Sequence, residues 1–236
     1  MAGMIYYAGK ALEEVAPVKV EDIRVSPIQL SAVARQRPEQ FGADFVRITG
    51  GTRTAAITFA VHEDDLEKRQ RYLTAITAWA RRDSAAALSL PGHDGVYLEA
   101  VCTGLPEPSL RQWWEAKLRI VFTCFDNPYW TSIEQKSATL GSAITVLGDA
   151  PPLMEIRRTL TGSASNQTYS NGTESMTFST VPAGNLVIDL NKQTAAVSGT
   201  SIMQYYPLTG ATFLRPRRGT YTITGNGSVY WRERWE

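Results

Sequence analysis

His93 and Asp94 sit side by side in the turn Pro91-Gly92-His93-Asp94-Gly95, shortly after Ser89, and by residue type they are the best acid/base candidates in the chain. A nucleophilic serine needs a base within hydrogen-bond reach and a third group to orient that base. The Gly-x-Ser-x-Gly elbow that presents such a serine is absent around Ser89, and no second base lies nearby in sequence. The pair therefore reads as a solvent-facing turn. Glu13-Glu14 and Asp64-Asp65 supply the paired carboxylates that glycoside hydrolysis uses, but the first reads as a solvated loop and the second as the start of a helix. Gly50-Gly51-Thr52 lacks the lysine and following helix of a phosphate-binding loop and reads as a tight turn between two strands.

Metal chemistry fares no better. His62, His93, Cys102 and Cys124 are the only histidines and cysteines, and they are spread too evenly for zinc-ligand spacing. Each cysteine lies in an apolar, strand-like stretch, so two buried thiols are expected in preference to a disulfide. We expect no catalytic, cofactor-binding or metal-binding residues. Tyr129-Trp130, Tyr205-Tyr206 and Tyr230-Trp231 with Trp235 are the remaining lead. Such aromatics stack on sugar rings in carbohydrate-binding modules, and equally often fill sandwich cores or subunit contacts.

The elements that must carry these residues are mostly strands. Val18 to Val25, Pro27 to Val33, Asp44 to Thr49 and Thr54 to Val61 read as strands, the last alternating Ile57, Phe59 and Val61 with Thr58 and Ala60. One amphipathic helix is expected over about 64–82, with Asp64 as N-cap and Glu67 as its capping-box partner. Leu66, Leu73, Ile76 and Ala80 form its apolar face, flanked by Tyr72 and Trp79. Strands follow at Ala86 to Leu90, at Val96 to Thr103 and at Lys117 to Cys124, the last burying Leu118, Ile120, Phe122 and Cys124 on one face. Asp126-Asn127-Pro128 then forces a turn.

Beyond Gly141 there is no helical pattern. Leu153 to Arg157 reads as a short strand, and Leu160 to Ser175 as an exposed loop or hairpin. Asn185 to Leu190 and Thr194 to Ser198 read as a hairpin, as do Thr220 to Thr224 and Ser228 to Trp235 around Gly225-Asn226-Gly227. The chain thus divides into a β-sandwich-like domain with one helix (1–140) and a second β-sandwich (141–236).

Charge excludes a strong attraction to nucleic acid, because the 236 residues sum to +1. Arg81-Arg82, Arg157-Arg158 and Arg215-Pro216-Arg217-Arg218 are short basic clusters of the kind found on solvated surfaces or in interface ion pairs. No apolar run reaches the roughly 18 residues of a membrane span. The N-terminus lacks a charged region followed by an apolar one, so no export signal is expected.

Four segments occur in an ordered series: Thr54-Ala-Ala-Ile-Thr-Phe-Ala-Val61 before the helix, Leu118-Arg-Ile-Val-Phe-Thr-Cys-Phe-Asp-Asn-Pro-Tyr-Trp130, Pro152-Leu-Met-Glu-Ile156, and Asn185-Leu-Val-Ile-Asp-Leu-Asn-Lys-Gln-Thr-Ala-Ala-Val-Ser-Gly199. With the aromatic, arginine-rich closing strand Val229 to Trp235, this order resembles the distal tail proteins (Dit family) of long-tailed, non-contractile bacteriophages. The resemblance implies a virion protein, assembled in the host cytoplasm, that forms a homohexameric ring at the tail tip. The N-terminal domains would make the ring, and the C-terminal domains would be galectin-like sandwiches. Its partners would be the tail tube protein ring, the tail-associated hub protein and a receptor-binding protein or tail fibre. DNA would only pass through the lumen, and nothing would insert into a membrane. The second half has no histidine, so the histidine-centred sugar site of true galectins does not carry over. Arg35, Arg37, Pro38, Gln40 and Phe41 are the candidate interface residues, at the tip of an expected hairpin. A carbohydrate-binding β-sandwich module acting in host attachment is the alternative class.

Overall fold

The computed structural model describes residues 4–29, 31–36, 43–49, 51–105, 109–112, 115–207 and 212–236. The fold is mostly β, and among the described residues there is one α-helix. Contacts divide the chain into two compact units, Met1–Thr131 (joined by Glu236) and Ser132–Trp235. The sequence placed this division near residue 140; the segment up to Thr139 instead belongs to the second unit, where Lys136–Thr139 is a strand paired with Ser228–Trp235.

In the first unit the Arg53–His62 strand is central. It pairs antiparallel with Glu115–Cys124 along its whole length, Leu118 opposite Phe59, Ile120 opposite Ile57 and Phe122 opposite Ala55. On its other side lies Val18–Val25. A bulge between Val20 and Asp22 resets the alternation, so that Val20 faces Phe59 while Ile23 faces Ile57. Without that extra residue every later side chain would swap faces. Val96–Gly104 and Ser109–Gln112 flank the Glu115–Cys124 strand, and Ala86–Ser89 joins Val96–Gly104 to the short Tyr6–Tyr7 strand.

The helix Leu66–Ala80 covers the buried face of this sheet. Its N-cap is Asp65, not the expected Asp64: the Asp65 carboxylate accepts the amides of Glu67 (2.8 Å) and Lys68 (3.2 Å). Those two bonds hold its carboxyl below the usual range. Lys68 therefore occupies the third helical position, and no capping box forms. The start moves the apolar stripe as well. Leu66 is 68% exposed, whereas Arg69, Leu73, Ile76, Trp79 and Ala80 are buried. Trp79 is an anchor: its ring packs edge-on against Phe122 and Tyr7, and its indole donates to the Lys10 carbonyl at 2.9 Å.

The second unit is a sandwich. One sheet runs Lys136–Thr139, Ser228–Trp235, Ala150–Leu160, Gly184–Asp189, Thr194–Val197 and Thr200–Ser201. The facing layer holds two antiparallel pairs, Ala143–Val146 with Gly219–Thr222 and Ala164–Ser170 with Ser175–Val181, linked by a bridge from Ser170 to Thr224. Between them Ile144, Met154, Ile156, Tyr169, Phe178, Ile188, Val229 and Trp231 are buried. The Asn185/Thr194 hairpin forms as expected, with Leu186 opposite Val197. The region from Leu160 to Ser175 resolves into the hairpin arm Ala164–Ser170, and the short strand at Leu153 is part of a longer one, Ala150–Leu160.

The Gly225-Asn226-Gly227 hairpin does not form. Gly219–Thr222 and Ser228–Trp235 lie in different layers, and the chain crosses between them. The glycines serve close approach: a Cβ on Gly227 would lie 2.6 Å from the Arg157 carbonyl oxygen, and one on Gly225 2.6 Å from the Tyr169 ring.

Trp79→Ala should lower unfolding free energy by about 3–5 kcal/mol, and Leu66→Ala should change it by less than about 0.5 kcal/mol. Urea titration of both variants checks the corrected helix face.

Candidate functional site

The interface candidates fall on a two-stranded ribbon. Ser31–Gln36 pairs with Ala43–Thr49, Ser31 opposite Thr49 and Arg35 opposite Asp44, with a register shift after Val33. The expected Pro27 strand thus begins at Ser31, because residues 26–29 extend the preceding ladder: the Ser26 amide donates to Thr54 O (2.8 Å) and the Gln29 amide to Thr52 O (2.9 Å). The Ser26 hydroxyl accepts from the Thr54 amide (2.9 Å) and lies 3.2 Å from its hydroxyl. A Cβ on Gly51 would sit 1.2 Å from the Gln29 carbonyl oxygen, so glycine is required where the ribbon meets the sheet. Gly51 and Thr52 of the turn read at Gly50-Gly51-Thr52 lie at this junction, with Gly50 outside the described residues, and the strands on either side belong to different ladders. Of the five candidates, Arg35 lies on the ribbon's backbone; Arg37, Pro38, Gln40 and Phe41 lie outside the described residues.

The candidates for reactive chemistry are dispersed into structural duties. The His93 ring stacks on Trp130, centroids 3.9 Å apart and 13° from parallel. Among the described residues no hydrogen bond joins it to Ser89 or Asp94. A cleft of about 680 Å³ beside the ribbon's root is lined by Val25, Ser26, Ile28, Arg53, His93 and Trp130. With His93 stacked and Ser26 bonded to Thr54, neither is placed as a nucleophile–base couple. Glu13 accepts the Ile5 amide at 3.3 Å, Glu14 is exposed, and Asp65 caps the helix. Among the described residues no three His, Cys, Asp or Glu side chains gather as a metal site.

Cys102 and Cys124 are free thiols, and burial pushes Cys124 up to about 11. The aromatic residues are largely consumed in packing. Trp130 and Trp231 are buried, Tyr206 packs between Phe178 and Phe213, and the Arg157 guanidinium lies 4.6 Å from the Tyr230 ring centre.

Reading periodicity could not have found the polar centre of the second unit. Glu233 is 2% exposed. One of its oxygens accepts the amides of Leu147 (3.0 Å) and Gly148 (2.9 Å); the other accepts from the Lys136 ammonium (3.0 Å) and the Trp231 indole (3.2 Å). Burial alone would raise its carboxyl, but the Gly148 amide, Lys136 and Trp231 outweigh it and hold it below the usual range. Nearby, Arg232 donates to the carbonyls of Ser132 and Ile133, and Arg234 to that of Pro151. The only sequence signal was an acid between two arginines in an aromatic closing strand.

No protein-family model matches the sequence, and no curated protein matches it. Among solved structures the chain is similar to the SPP1 Dit protein (gp 19.1), described as a paradigm of the hub adsorption apparatus in phages infecting Gram-positive bacteria. The two share 13% identity and a TM-score of 0.79 over 99% of both chains. The chain therefore has the Dit fold from end to end. Two structures of the phage p2 baseplate in its activated conformation, with strontium and with calcium, align at 9% identity over about nine-tenths of both chains. Their TM-scores of 0.42 and 0.43 are too low to bear on the fold.

Because the folded Glu233 pKa lies below the ordinary 4.5, its stabilisation is complete above that pH and is lost as pH falls through the folded value. Glu233→Gln should cost about 3 kcal/mol at neutral pH and flatten the acid limb of stability, read by denaturation at a series of pH values. At pH 8 Cys124 in the folded protein should react with iodoacetamide about 100-fold more slowly than an ordinary thiol, with full labelling in denaturant, measured by mass spectrometry.

Proposed function

We propose that this chain is a structural protein of the tail tip of a long-tailed, non-contractile bacteriophage, six copies closing into a ring at the distal end of the tail tube. The observation that carries the reading is the full-length correspondence of fold with a phage protein described as a paradigm of the hub adsorption apparatus. The residues are consistent with an architectural role: the groups suited by type to catalysis are used in capping, stacking and core packing.

A closed ring needs a heterologous interface whose rotation returns to the start after a fixed number of copies. The first unit supplies suitable parts. Val18–Val25 ends its sheet, with no further strand beyond it among the described residues, and the ribbon of Ser31–Gln36 and Ala43–Thr49 is a separate two-stranded sheet. Arg35, Arg37, Pro38, Gln40 and Phe41 are assigned to contacts along the tail axis, toward the tube ring or the tail-associated hub. The second unit, a galectin-like sandwich in this reading, is the mount for a receptor-binding protein or fibre. DNA passes through the lumen without a binding site of its own. The protein assembles in the host cytoplasm and resides in the virion.

Light scattering after size exclusion should give a mass near six times the 26.1 kDa of one chain, and negative-stain images should show a ring with a central hole. Arg37→Glu with Phe41→Glu should abolish higher assembly and leave the circular dichroism of the monomer unchanged. A stable monomer retained on a glycan column would replace this reading with the carbohydrate-binding module.

A further inference from the structure

The segment Arg215-Pro216-Arg217-Arg218 concentrates charge in a chain that is otherwise nearly neutral. Its three arginines and the neighbouring Glu174 sum to +2, while the whole chain sums to only +1. The segment has no helix or strand of its own, yet its backbone is held on both sides. Before it, Phe213 and Leu214 are buried in the sandwich core, 7% and 1% exposed. Within it, one Glu174 oxygen accepts the Arg215 amide at 2.9 Å and lies 3.4 Å from the Arg217 guanidinium. Asn171 fixes Glu174 in turn, donating to that oxygen at 3.1 Å while its own oxygen accepts the amides of Thr173 and Glu174. The Arg217 amide donates to the Tyr221 hydroxyl (3.4 Å), and Pro216 fixes a further dihedral. Arg215 and Arg218 are exposed, and among the described residues neither side chain has an ion pair or hydrogen bond.

The result is an anchored backbone that carries three arginines, with the neighbouring Glu174 used in holding it. We propose that this segment is a binding site for a phosphodiester polymer, specifically the polyol phosphate chain of a cell envelope. Guanidinium forks match phosphate oxygens bidentately. A single exposed pair contributes little, so the fitting ligand is one that repeats its charge along a chain and releases counterions at several contacts. Single-stranded nucleic acid is the poorer fit, because its binding sites add aromatic platforms for the bases. Among the described residues the aromatic bonded to this segment is Tyr221, half-buried and with its hydroxyl occupied. The charge match rests on this local geometry, the choice of an envelope polymer rests on the tail-tip reading, and neither depends on ring formation.

The test uses the full chain and purified poly(glycerol phosphate), with binding followed by calorimetry between about 50 and 200 mM salt. Three phosphate contacts predict a log–log salt slope of about −2, a loss of about 20-fold over that range. Arg215→Gln with Arg218→Gln, which leaves the Glu174 clamp intact, should lose at least two-thirds of that slope, while Arg→Lys at both positions should retain part of the binding. Absence of binding at the lowest salt, or unchanged binding by the Gln variant, would overturn the proposal. So would tighter binding of poly-glutamate, which would mark an acidic protein partner, or of an oligothymidylate, which would mark nucleic acid. The oligomeric mass of the same sample, taken alongside, keeps a failure of this site distinct from a failure of the ring.

Discussion

Register along one strand decides the first unit. Arg53–His62 is paired on both sides, so its alternation dictates which side chains of both neighbours face the helix. Ile57 and Phe59 are each opposed by apolar residues on both sides, Ile120 and Leu118 on one, Ile23 and Val20 on the other. A slip of one residue would turn all of them to solvent. The bulge at Glu21 lets Val18–Val25 keep this register although its own apolar residues change phase. Trp79 and Tyr7 then close over Phe122, fixing the helix to the face that the register defined.

In the second unit a polar constraint has the same organising role. A buried carboxylate is costly unless several donors meet it. Glu233 gathers backbone amides, an indole and an ammonium from three separate stretches of chain. That demand fixes the turn at Leu147–Gly148 against the closing strand so tightly that a Cβ on Gly148 would lie 2.3 Å from the Arg234 carbonyl oxygen. Here glycine, buried acid and strand placement form one arrangement, and none of the three is explained without the others.

What the sequence disclosed follows from how local each signal is. Alternation in Arg53–His62 and Glu115–Cys124, and the hairpin at Asn191, were readable because neighbouring residues carry the whole pattern. Asp65 displaced Asp64 as cap because two adjacent aspartates offer equivalent chemistry, and only the chain direction entering the helix chooses between them. Asn226-Gly227 misled for a deeper reason: the dipeptide permits a tight hairpin, but the same permissive backbone also suits a crossing between layers, which distant partners Arg157 and Tyr169 select. The Glu233 cluster was invisible because its donors are far apart in sequence. The ribbon was anticipated as a hairpin near Arg35, while the close approach at its root, Gly51, was not legible, since nothing local reveals that Gln29 lies against it.

The placement of Ser228–Trp235 between Lys136–Thr139 and Ala150–Leu160 has a kinetic corollary. Lys136 and Glu233 are 97 positions apart, so this interior strand is synthesised after the other described strands of its sheet. Until it arrives, the ribosome-bound chain presents two unzipped strand edges and an unfinished core. High contact order slows such closure. The ladder at the centre of the first unit, Arg53–His62 with Val18–Val25 and Glu115–Cys124, is complete by Cys124 and can condense early. Nascent copies would therefore spend a window half-folded, in which premature pairing between neighbouring chains competes with maturation.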